Sequence, residues 1–103
     1  MAMLHTVNKS PFEKRSLDSA LTHAADGAGI LMIEDGIFGA LKGTAVAGKV
    51  QQALGNKLKV YVLGPDLKAR GMTEDQVIDG VQVVDYAGFV DLVTEFDKVQ
   101  AWL

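Results

Sequence analysis

The run Ile30-Leu31-Met32-Ile33 is apolar at every position, and a short continuous run of this kind fits a strand covered on both faces of a parallel sheet. Glu34-Asp35-Gly36 ends it. Lys59-Val60-Tyr61-Val62-Leu63, closed by Gly64-Pro65, reads as a further strand, and Met3 to Val7 and Val81 to Val84 as two more. Helical stripes separate them: Leu17, Ala20, Leu21 and Ala24 in one segment, and Val46, Val50, Ala53 and Leu54 in a second running from about Ala45 to Leu54. In a third, Tyr86, Phe89, Val90, Val93 and Phe96 make a broad apolar face behind Asp85, a capping residue. Lys98 to Leu103 alternates with period two and fits a last strand near an edge. Alternation of strand and helix predicts an α/β fold: a small doubly wound, mainly parallel sheet of about five strands with right-handed crossovers and helices on both faces.

Local signals place several boundaries. Ser10-Pro11-Phe12-Glu13 has the form of a capping box with proline at the first helical position, so the first helix is expected to start at Ser10 and end near Asp26-Gly27. Asp66 to Arg70 reads as a short helical turn stopped by Gly71, and Thr73-x-x-Gln76 as the cap of another.

Nothing in the 103 residues marks a linker, so residues 1–103 are expected to form one domain, with Met1-Ala2 ahead of Met3 fitting a remnant of laboratory cloning. Nearly half the chain is apolar, at 49%, and the mean hydropathy is slightly positive. A domain this small cannot cover all of that surface alone, which points to a partner. A net charge of -3 leaves no basic field for phosphates or an anionic membrane, so direct nucleic-acid or membrane binding is not expected. No apolar run approaches the roughly 20 residues of a bilayer span, and a cytoplasmic location is expected. The chain has no cysteine, which removes disulfides, thiolate metal sites and sulfur nucleophiles together.

In parallel sheets of this class ligands gather outside the carboxyl ends of the strands. Glu34, Asp35, Asp66 and Asp85, with His5 on the first strand, form a candidate rim there, capable in principle of acid/base or hard-metal chemistry. The plainer role for such carboxylates is to cap helices and mark turns. His5 and His23 have no metal-ligand spacing, no G-x-S-x-G elbow exists, and neither glycine cluster is a nucleotide cradle, so no metal or cofactor is expected. Ile37, Phe38 and Trp102 are candidates for an interface, the first two following a turn where core and interface are equally open.

The stretches Leu4–Glu13, Ile33–Gly36, Tyr61–Gly71, Val84–Leu92 and Val99–Leu103 together resemble the DsrH/TusB family of sulfur-relay subunits. In wording they are nearer to DsrH than to TusB. The resemblance implies a DsrE-like α/β fold and a place in a heterohexamer with DsrE/DsrF-like or TusD/TusC-like subunits. Sulfur then travels as a cysteine persulfide to a DsrC/TusE-like acceptor, serving sulfur oxidation or 2-thiouridine synthesis at the tRNA wobble position. Aligned on S-P-F-E, the family's first-helix cysteine falls at Ala20, whose methyl group cannot form a persulfide. A natural loss and a Cys-to-Ala change are both open. The expected function is therefore a relay subunit without its own persulfide cysteine. The alternative is a stand-alone small-ligand-binding or hydrolytic α/β protein using the carboxylate rim.

Overall fold

A computed structural model describes residues 2–102. Five strands, β1 (Met3–Val7), β2 (Gly29–Met32), β3 (Lys59–Leu63), β4 (Gln82–Val84) and β5 (Lys98–Trp102), form one sheet in the order β4-β3-β2-β1-β5. Every pairing is parallel, as the continuous apolar runs predict. Four α-helices connect them: α1 (Ser16–His23), α2 (Ala47–Gly55), α3 (Gly64–Ala69) and α4 (Tyr86–Glu95), with a 3-10 segment Glu34–Ala40 after β2. All four residues of β2 are buried, which is why its sequence carries no polar face.

Side chains on a strand alternate between faces, so the register divides the core in two. Val7, Ile30, Met32, Val60 and Val62 face Leu17 and Ala20 of α1, Val50 of α2, Leu67 of α3 and Ile37 of the 3-10 segment. Leu4, Leu31 and Tyr61 face the other way, against Leu92 of α4 and Phe96 just past its end. One face therefore has several covering elements and the other has α4, which runs from β4 at one edge to β5 at the opposite edge.

The first helix and the buried face of the last one differ most from the sequence expectation. The first helix begins at Ser16 and not at Ser10. Ser10 anchors a self-contained turn: its carbonyl accepts from the amides of Glu13 and Lys14, both at 3.1 Å, and its Oγ accepts from the amide of Phe12 at 3.2 Å. The motif therefore satisfies a connecting turn instead of opening a helix. Leu92 on α4 and Phe96 at its C-cap are buried and Phe89 is half-buried, whereas Tyr86, Val90 and Val93 are 61%, 63% and 41% exposed. The sequence places five apolar positions on one broad face, but a helix laid on a sheet buries only a narrower stripe, and Leu92 belongs to it. Asp85 does cap the helix, its Oδ1 accepting from the Gly88 amide at 2.8 Å.

The loop after β2 is pressed against the end of β1. The Ile33 amide donates to the Val7 carbonyl at 3.0 Å, and a Cβ on Gly36 would meet that same oxygen at 2.1 Å. Backbone is not free to yield there, so Gly36→Ala should destabilise the fold by about 2 kcal/mol or more. Gly48 lies in α2 with nothing within 4 Å of its added Cβ. Gly48→Ala should raise stability by about 0.5 kcal/mol through helix propensity, and urea unfolding midpoints of the two variants measure the contrast.

Candidate functional site

At the carboxyl end of β2 the chain turns sharply at Glu34, a non-glycine residue with φ 50°. This left-handed conformation costs on the order of 1 kcal/mol for a residue with a Cβ, and neighbouring polar groups offset it. The Glu34 amide donates to Asp66 Oδ2 at 2.6 Å, from the first turn of α3. Arg70, at the end of α3, donates through Nε to Asp35 Oδ1 at 2.9 Å, and its Nη1 lies 4.0 Å from Asp66 Oδ1. The Arg70 side chain is 27% exposed and that of Asp66 17%, whereas Asp35 is 55% exposed, so the contacts to Asp66 are the better shielded from solvent.

The structure thus brings three of the expected rim residues together, Glu34, Asp35 and Asp66, and adds Arg70. The carboxylates of Asp35 and Asp66 are aimed at the guanidinium and at one backbone amide. That arrangement ties the loop after β2 to α3; it does not present a free acid and base to a reactant. Asp85 stands apart, beside an open cleft of about 700 Å³ walled by Pro65, Leu67, Met72, Val83 and Val84.

His5 is not at the rim. It lies within β1 on the face that carries α1, 3% exposed, and its Nδ1 accepts from Trp102 Nε1 at 3.0 Å. The ring of His23 lies on Trp102 as well, with centroids 5.7 Å apart. Burial, and then the field of His23, lower the pKa of His5, so the neutral imidazole is favoured. A cavity of about 360 Å³ adjoins both histidines and is lined also by Met3, Asp26, Ala28, Gln100 and Trp102.

The remaining candidates separate. Ile37 is fully buried in the core and Phe38 packs half-buried against it. Trp102 is half-buried. Ala20 is fully buried, in the cluster that contains Leu17, Val7 and Ile30. Among the described residues no group of three or more His, Cys, Asp or Glu side chains is placed to hold a metal ion, and no helix is long and apolar enough to cross a membrane. Arg70 enters the sequence reading only as the end of the Asp66 to Arg70 turn, where its spacing of four from Asp66 is the signal for a pair.

Comparisons with known proteins converge. The model of the family described as DsrH like protein matches residues 9–99. Protein TusB of Pectobacterium parmentieri is 37% identical over 100 residues, covering 97% of this chain and all of that protein. Protein TusB of Pectobacterium atrosepticum is 35% identical over the same length and coverage. The crystal structure of the ychN protein from E. coli superposes with a TM-score of 0.84 over 98% of each chain at 16% identity, a likeness of fold.

If the rim is a brace, its variants should move stability. Asp66→Ala leaves the Glu34 amide without its acceptor and should cost about 1–2 kcal/mol, while Glu34→Gly relieves the left-handed backbone and should be neutral or stabilising by up to about 1 kcal/mol. Thermal and urea unfolding of the two variants, alone and combined, measure both effects.

Proposed function

This chain belongs to the DsrH/TusB family, and from that membership we propose that it is a subunit of a cytoplasmic sulfur-relay complex that delivers sulfur toward 2-thiouridine in tRNA. The relatives that carry the TusB name, matched along their full length, favour the tRNA branch over sulfur oxidation. The partners are TusC- and TusD-like subunits, or their DsrF- and DsrE-like counterparts, in a heterohexamer, with a TusE/DsrC-like protein as acceptor. A partner's cysteine carries the persulfide, because this chain contains no cysteine. Its contribution is surface and shape.

The observation that carries this reading is the outer stripe of α4. Tyr86, Val90 and Val93 recur at helical spacing and are all exposed, and Val99 on edge strand β5 and Phe12 in the turn after β1 are exposed too. Large apolar side chains repeated along one helix face mark a contact surface more often than chance exposure does. The acidic charge of -3 agrees with an indirect connection to RNA, through the sulfur acceptor.

Co-expression with TusC- and TusD-like subunits should yield one co-eluting complex on size exclusion. Val90→Glu should release this chain while shifting its own unfolding free energy by less than about 0.5 kcal/mol, as befits an exposed site. Elution of the wild-type chain alone overturns the subunit reading.

Position 20 gives an independent check on where the sulfur resides. Ala20 has no exposed surface, so the thiol of Ala20→Cys should react with a thiol reagent only after unfolding, and a persulfide donor should add no mass to the folded chain. Prompt labelling of the folded variant would show that this position can take part in transfer.

A further inference from the structure

We infer that the hydrogen bond between Trp102 and His5 is a proton-operated latch: with His5 neutral it fastens the carboxyl-terminal end of β5 to the sheet, and protonation of His5 releases Trp102 and loosens that edge strand. The inference does not rest on the relay reading.

The donor and acceptor roles fix the protonation state. An indole Nε1 can only donate, so His5 Nδ1, 3.0 Å away, must accept, and its ring is the neutral tautomer with hydrogen on Nε2. In the imidazolium both ring nitrogens carry hydrogen. Two N–H groups would then face each other, and the bond is lost.

β5 depends on that bond more than an interior strand would. It pairs with β1 alone, and Lys98, Val99, Gln100 and Ala101 are all exposed, so Trp102 is the one residue of the strand held by ring contacts and a side-chain hydrogen bond. Its indole lies against both imidazoles, with centroids 6.1 Å from His5 and 5.7 Å from His23. The cavity of about 360 Å³ beside them gives solvent protons a route to the pair.

Burial and then the charged groups around His5 set the direction. α1 presents His23, the turn after α1 presents Asp26 across the cavity, and β5 places Lys98 on the same face as Gln100 and Trp102; Ile30 of β2 is neutral. The field of His23 disfavours a positive charge on His5. Burial is the largest influence and the field of His23 the next, and both lower the His5 pKa from its ordinary 6.5. The native state therefore binds this proton less readily than the unfolded chain does. The stabilisation is complete above 6.5 and is lost as pH falls below it toward the native His5 value.

Trp102 is the sole tryptophan, so its emission reports on the latch in the full chain. Titrated from about pH 8 to about pH 5, the emission should shift to the red with a midpoint below 6.5. Amide exchange at Val99 to Trp102, corrected for intrinsic rates, should rise on the order of tenfold across the same transition. His5→Phe should abolish the titration, and His23→Gln should keep it with a higher midpoint. If His5→Phe does not fold, the wild-type NMR spectrum decides: the indole N–H resonance of Trp102 should move or broaden with the same midpoint as the His5 ring carbons. A wild-type midpoint at or above 6.5, a flat emission profile, a transition that survives His5→Phe, or an indole resonance unmoved while His5 protonates would each overturn the latch.

Discussion

Burial of the central strands on both faces governs how everything else in this chain is arranged. β1, β2 and β3 carry side chains into two separate cores, so each face needs its own cover. Residues from α1, α2, α3 and the 3-10 segment share the first face; α4 supplies Leu92, and its C-cap Phe96, to the second. With so small a covering element, the second face is closed only by burying the stripe of α4 that touches Leu4, Leu31 and Tyr61. The remaining apolar positions of the helix, Tyr86, Val90 and Val93, are then left on the outside. Their exposure follows from the topology: the helix that must cross from β4 to β5 is apolar over a wider arc than one sheet can cover.

A second consequence concerns the loops at the carboxyl ends. Parallel strands require long crossovers, and the turn out of β2 must clear the end of β1 at once. Gly36 makes this possible by lying where any Cβ would strike the Val7 carbonyl, and Glu34 accepts a left-handed backbone to bring it there. Asp66 and Arg70 then secure the loop from α3. The carboxylates that mark this end of the sheet are thus explained by the geometry of the connection. His5, the group that would have completed an acid/base set, is bonded to Trp102 beside a different cavity.

Much of this was legible in the residue pattern, and the exceptions have physical causes. Continuous apolar runs give the parallel sheet, and the period-two tail gives β5 at an edge. Lys59 to Leu63 is observed with the expected bounds, because glycine and proline stop it in the chain itself. Ser10 misled because a serine carbonyl and hydroxyl can satisfy a turn as well as a helix start, and only the path from β1 to α1 decides between them. The grouping of Glu34, Asp35 and Asp66 was foreseeable from their places at strand ends, whereas the bond between residues 5 and 102 was not. It joins opposite ends of the chain through a strand order that local patterns do not specify.

The missing thiol fits this architecture. Residue 20 lies on the inner face of α1 with Leu17, against Val7 and Ile30, where close packing and not reactivity sets what is tolerated. Alanine there fills a site with no exposed surface, and a thiol in such surroundings would have its pKa raised and its sulfur shielded from an incoming partner. Sulfur transfer requires the opposite: a thiolate at the surface, reached in line by a second sulfur. The apolar stripe of α4 is by contrast open to solvent, and Tyr86, Val90 and Val93 carry no group able to hold sulfur, so what this face can offer is apolar surface and not a nucleophile.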